Sequence, residues 1–145
     1  MNAILDRLRA GVVTRSAEET RSLAAELALA LPTDATLALH GDLGAGKTTF
    51  VQGLARGFGL TDAVTSPTFA LFTLHRGGSR TLVHFDAYRL EHSSQVEALM
   101  LDEFLITPYC LAVEWPEKVS AWLPSGAWHL HMAVESDSAR SILLS

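Results

Sequence analysis

Ala35-Thr36-Leu37-Ala38-Leu39-His40-Gly41-Asp42-Leu43-Gly44-Ala45-Gly46-Lys47-Thr48-Thr49-Phe50 decides the fold. Its first six residues are a short, mostly apolar run of the kind that makes a strand buried on both faces. Gly41 to Thr48 then follows the Walker A spacing, two glycines separated by four residues with Lys and Thr directly after. The glycines let the backbone curl so that its N–H groups point inward at phosphate oxygens, and the next helix adds its positive N-terminal end. Lys47 is placed to reach the terminal phosphates, and the Thr48 hydroxyl to ligate Mg²⁺. Phe50, Val51, Leu54 and Phe58 recur at helical spacing, with Gly57 and Gly59 as stop signals. Strand, loop and helix therefore stand in the required order, and ATP or GTP is the first ligand to consider. Asp42, Leu43, Gly44, Ala45, Gly46 and Thr49 complete the loop lining.

Upstream, Ser16-Ala17-Glu18-Glu19 is a capping box, with Glu19 expected to reach back to the Ser16 N–H. Leu23, Leu27, Ala30 and Leu31 form the stripe of the helix it opens, and Pro32 closes it. Gly11 to Thr14 reads as a short edge strand. Downstream, Phe69 to His75 and Thr81 to Asp86 form an antiparallel hairpin around Arg76-Gly77-Gly78-Ser79. Ser93 and Ser94 cap a helix running through Val96, Leu99, Met100 and Phe104. Cys110 to Val113 is another buried strand ending on Glu114, and Pro116 opens a short helix carrying Val119 and Trp122. Two final strands hold the alternation Trp128, Leu130, Met132, Val134 and the run Ile142 to Leu144. Together these predict an α/β, three-layer P-loop NTPase-like fold, with a mostly parallel central sheet, antiparallel edge strands and helices on both faces. Residues 1–145 are expected to form one P-loop ATPase domain.

Composition narrows the partners. The formal charge is −5, with nine arginines but only Lys47 and Lys118 as lysines. No basic patch appears, which argues against independent gripping of a nucleic-acid backbone. No segment has the apolar length of a membrane span, so a cytoplasmic protein without membrane contact is expected. Cys110, the single cysteine, has apolar neighbours and reads as a buried thiol. His129 and His131 share a strand face, but no third ligand joins them in sequence.

A nucleotide site of this type needs a carboxylate at the end of a hydrophobic strand to help hold Mg²⁺. Asp86 and Glu114 both qualify. The more uniformly apolar run before Glu114 suits the strand next to the loop strand, whereas the run before Asp86 contains His84. Glu114 is therefore preferred near Mg²⁺, leaving Asp86 to orient an attacking water or bond to a metal-bound one. Ser66-Pro67-Thr68-Phe69 lies where GTPase-like proteins carry a phosphate-sensing loop, and Thr68 is a candidate for the Mg²⁺ shell or γ-phosphate. Ser-Pro is also an ordinary turn opener. No Asn-Lys-x-Asp guanine-reading segment is present, which disfavours a regulatory GTPase.

Four segments in order, from Gly41, from Ser66, His84-Phe85-Asp86-Ala87-Tyr88-Arg89-Leu90 and Glu114-Trp115-Pro116-Glu117, resemble the TsaE family, formerly called YjeE. The resemblance runs from about Thr14 to Trp122. It implies a small ATPase needed to make threonylcarbamoyladenosine beside the anticodon of certain tRNAs, working with the TsaB and TsaD proteins and meeting tRNA only through them. It further implies that Thr48 and Glu114 help bind Mg²⁺, that Lys47 contacts the phosphates of ATP, and that Asp86 is needed for hydrolysis. The resemblance also implies that Trp115 matters for function, that Ser66 to Phe69 is a switch-like loop, and that the segment around Thr14 lies near the adenine. His40 departs from the apolar residue expected there. Two other readings remain: a small-molecule P-loop kinase, against which no arginine-rich lid insertion is visible, and a nucleotide-gated binding module with negligible turnover.

Overall fold

The computed structural model describes residues 3–61, 64–65 and 71–145. Helices α1 (Ala3–Ala10), α2 (Ala17–Ala30), α3 (Lys47–Gly57) and α4 (Gln95–Ala98) alternate with strands. These are β1 (Val12–Thr14), β2 (Asp34–His40), β3 (Phe72–His75), β4 (Thr81–Asp86), β5 (Tyr109–Glu114), β6 (Trp128–Val134) and β7 (Arg140–Leu144). They form a seven-stranded sheet in the order β1-β7-β6-β2-β5-β4-β3. The four central strands are parallel, while β3, β7 and β1 join antiparallel. The expected mixed sheet is thus realised, with the loop strand β2 at its centre.

Alternation along the strands divides the core in two, because successive side chains leave opposite faces. Leu37 and Leu39 of β2, Leu82, Ala112, Leu130 and Ile142 pack with α1, α2 and α3 on one face. Val83, Phe85, Leu111 and Val113 pack on the other, under α4, Leu101 and Val119. Leu37, Leu39, Phe50 and Phe85 are completely buried, each contributing about 1.5–3 kcal/mol by leaving water. Cys110 is equally enclosed, and desolvation pushes its thiol up to about 12; it is the inert thiol its neighbours suggest.

Helices α2 and α3 cross closely because α3 carries Gly53 and Gly57 where they meet. A Cβ at Gly53 would collide with the Arg21 carbonyl oxygen and the Ala24 Cβ. Ser16 caps α2 as expected, accepting from the Glu19 N–H at 3.0 Å. The reciprocal bond differs by one residue: Glu19 Oε1 accepts from the Arg15 N–H at 2.8 Å, not from Ser16. The helix expected from Ser94 through Phe104 is also interrupted. α4 is a single turn, Met100 adopts a left-handed conformation (φ 54°), and Leu101–Phe104 resumes as a 3-10 turn. The break puts Val96 and Leu101 under the sheet and leaves Met100 56% exposed.

Candidate nucleotide site

The chain leaves β2 at the carboxyl edge of the parallel strands, the edge where open α/β sheets bind ligands. Gly41 (φ 153°), Gly44 (φ 85°) and Gly46 (φ 96°) make the turn. Gly41 must lack a side chain for a second reason: a Cβ there would stand 2.5 Å from the Met132 carbonyl oxygen of β6. Within the loop, the Ala45 N–H donates to the Asp42 carbonyl at 3.0 Å. Gly46 precedes α3 and no side chain caps the helix, so first-turn N–H groups are left for an anion. Asp42, Leu43 and Gly44 are exposed, whereas Ala45 is buried beneath them.

Lys47 is 5% exposed. Its Nζ donates to the Gly41 carbonyl at 2.6 Å and lies 3.5 Å from the Trp115 ring centroid. Burial pushes its pKa below the usual lysine range, opposed by Glu114, Glu117, Asp86 and Asp42 in that order. Trp115 is itself held in a left-handed conformation (φ 58°), uncommon for a bulky residue and concentrated at functional sites. Its other ring neighbour is Tyr88, with centroids 5.1 Å apart.

The two strand-end acids meet here. β5 lies beside β2, and β4 beside β5, all parallel, with Asp86 in register with Glu114. The Thr48 hydroxyl donates to Glu114 Oε2 at 3.0 Å, so the acid at the end of the more apolar strand is the one nearest the loop. Asp86 Oδ1 instead accepts from the Tyr88 N–H at 3.0 Å. A third group was not anticipated from sequence: His84, fully buried, lies with Nε2 2.5 Å from the same Glu114 oxygen. Its place in the strand of Asp86, two residues earlier and so on the same face, was the available signal.

Lys47, Thr48, Thr49, Asp86 and Glu114 line a cleft of about 710 Å³, closed by Arg15 to Ala17 on one side and Asp137, Ser138 and Arg140 on another. Gly44, Gly46 and Arg89 also face it. The Thr14 hydroxyl turns inward, 2.6 Å from that of Thr20, so the residues after it form the wall. Arg140, which carries no recognisable sequence signal, donates from Nε to the Gly44 carbonyl at 2.9 Å. Its Nη1 donates to the Ser136 and Ala139 carbonyls, each at 2.9 Å. Thr68 and its Ser66 to Phe69 segment fall outside the described residues.

Across the sheet, β2 and β6 bring a third imidazole to the pair noted above. His40 Nε2 is 2.8 Å from His129 Nδ1, and the His40 ring stacks on His131 at 4.6 Å. No group of three His, Cys, Asp or Glu side chains among the described residues is arranged to hold a metal ion. The oxygen pair Thr48 and Glu114 fits a hard cation of the Mg²⁺ type, which binds through one or two protein ligands together with substrate phosphates and water. No helix among the described residues is long and apolar enough to cross a membrane.

The chain is similar to known proteins over most of its length. The family model described as "Threonylcarbamoyl adenosine biosynthesis protein TsaE" matches residues 14–142. The tRNA threonylcarbamoyladenosine biosynthesis protein TsaE of Bacillus subtilis is 40% identical over 130 residues, spanning 89% of this chain and 80% of that protein. Its counterpart in Treponema pallidum is 35% identical over 130 residues, spanning 90% and 96% respectively. The crystal structure of Bacillus subtilis YdiB superposes with a TM-score of 0.75 at 34% identity, covering 91% of this chain and 81% of that one. With the match reaching from the wall of the cleft through both acids and into β7, the chain belongs to the TsaE family of tRNA threonylcarbamoyladenosine biosynthesis.

Proposed function

We propose that this protein is the ATP-hydrolysing subunit of the machinery that places threonylcarbamoyladenosine next to the tRNA anticodon. In this reading the 145 residues act as one cytoplasmic P-loop ATPase domain with TsaB and TsaD as partners, and tRNA is met only through that assembly. The observation that carries the reading is the convergence of Lys47, Thr48, Asp86 and Glu114 on one cleft at the carboxyl ends of β2, β4 and β5. The net charge of −5 supports leaving RNA binding to another subunit.

Each side chain has a task. The loop N–H groups and Lys47 bind the phosphates of ATP, with Gly41 to Gly46 and Thr49 shaping the cradle and the segment after Thr14 approaching the base. Thr48 and Glu114 hold Mg²⁺, which when bound supplies charge neutralisation at the phosphates. Asp86, at the neighbouring strand end, orients water for attack, and Thr68 senses the terminal phosphate.

The test is ATP hydrolysis with and without TsaB and TsaD, for the wild type, Lys47→Ala, Asp86→Asn and Glu114→Gln. Partner-dependent turnover that falls at least about 100-fold in Asp86→Asn, with Mg²⁺-dependent ATP binding retained, is the expected result. Full modification activity in Asp86→Asn would favour a nucleotide-gated binding module. A phosphorylated nucleoside, nucleotide or sugar would favour a small-molecule kinase. Hydrolysis indifferent to Lys47→Ala would sink the assignment.

A further inference from the structure

The buried imidazole of His84 is a side chain that the nucleotide chemistry above does not use. In register it stands opposite Ala112 on β5, and this small neighbour gives the ring room to reach Glu114, two residues further along the same face. It is completely enclosed, with Nε2 2.5 Å from Glu114 Oε2. That oxygen also accepts the Thr48 hydroxyl at 3.0 Å. A carboxylate oxygen accepts from both, so Nε2 carries the hydrogen. Nδ1 is buried with no hydrogen-bond partner among the described residues.

Filling the space does not require a histidine. Leucine would pack between Leu82 and Ala112 without stranding a polar atom, and an unsatisfied buried group destabilises the fold. The feature specific to imidazole at this position is the Nε2–H bond. A glutamate side chain has three rotatable torsions, and without this bond the hydrogen bond left to Oε2 among the described residues is that of Thr48, itself a rotor. We propose that His84 is a positioning residue that fixes the Glu114 carboxylate for Mg²⁺ held beside a bound nucleotide. The inference rests on the nucleotide and metal reading given above; it adds that metal affinity is set from behind Glu114 by a residue of the adjacent strand. Partners that orient a ligating carboxylate in this way commonly change metal affinity 10- to 100-fold when removed, to order of magnitude.

The experiment is calorimetric titration of the full chain with ATP, in EDTA and at a series of Mg²⁺ concentrations, for the wild type, His84→Leu and His84→Gln. Circular dichroism checks the fold of each. His84→Leu is expected to need about 10- to 100-fold more Mg²⁺ for tight ATP binding, while its affinity in EDTA stays within about twofold. Glutamine places an amide N–H near the position of Nε2 and should restore the Mg²⁺ requirement to within about threefold. A well-folded His84→Leu with the wild-type Mg²⁺ requirement would overturn the proposal, as would equal losses with and without the metal. If the leucine variant does not fold, His84→Asn replaces it. Its side chain is too short to reach Glu114, so a requirement equal to that of glutamine would count against positioning, and a raised one for it. A wild type lacking Mg²⁺-dependent ATP binding would fell the nucleotide reading itself, and this inference with it; retained wild-type dependence with unresponsive variants fells only the inference.

Discussion

The ammonium of Lys47 rests on the face of Trp115, 3.5 Å from the ring centroid. Its other support is the Gly41 carbonyl. Both contacts are weaker attractions than a polyanionic phosphate offers, so a phosphate reaching the loop would draw the lysine away from them. The indole is therefore placed to register occupancy of the cradle.

Adding ATP and Mg²⁺ is expected to change the intrinsic tryptophan emission. Trp115→Phe should lose that response while keeping the emission of Trp122 and Trp128. Fluorescence titration of the two proteins checks this, and an undiminished response in the phenylalanine variant would contradict it.

Burying Lys47 also carries a stability cost. Because burial lowers its folded pKa, the unfolded chain holds the proton more tightly, and stability rises with pH as the depressed pKa is passed on the way to 10.5. Lys47→Met, which removes the buried charge, should be more stable than the wild type by about 1 kcal/mol near neutral pH while failing to bind ATP. The margin should narrow towards alkaline pH. Urea unfolding at about pH 7 and about pH 9.5 measures both.

Arg140 ties β7 to the apex of the loop through Gly44. Arg140→Ala should weaken ATP binding about tenfold, close to the loss of one charge-assisted hydrogen bond. Lysine should restore little, since it lacks the fork that reaches Gly44, Ser136 and Ala139 together. Calorimetry on both variants tests this.

Gly53→Ala presents opposed effects. Alanine favours the helix by about 1 kcal/mol, but its Cβ would strike the Arg21 backbone of α2. Overpacking should prevail, with a net loss of about 2 kcal/mol and a melting temperature lower by about 4–8 °C. Gly126→Ala, where a Cβ meets nothing within 4 Å, serves as the control.

Local chemistry made much of this molecule legible. The glycine spacing located the loop, and the apolar run before Glu114 identified the strand beside β2, because a central parallel strand tolerates polar residues poorly. Where tertiary packing governs, the sequence was silent or misleading. The helical period after Ser94 continues past Met100, yet the need to bury Leu101 breaks it. α1 buries only Ile4 and Leu8, too few residues for a period to stand out. His84 argued against β4 as the strand next to the loop, correctly, but its bond to Glu114 depends on a register that no local pattern reveals. Arg140 and the His40 contacts likewise arise only when distant strands align.

The pairing of β1 with β7, Val12 against Ile142, has a consequence for how the protein is made. The wall of the cleft formed by Arg15 to Ala17 is hung from a strand near the opposite end of the sequence, and Gly41 is seated against the carbonyl of Met132. A nascent chain can therefore form the β2 hydrophobic run and the α2–α3 contact early, but it lacks a finished phosphate cradle until β6 and β7 have left the ribosome. Such long-range closure slows folding. Under the ATPase reading proposed above, nucleotide capture would then belong to chains that have closed the sheet through β7, and shorter nascent chains would not compete for ATP.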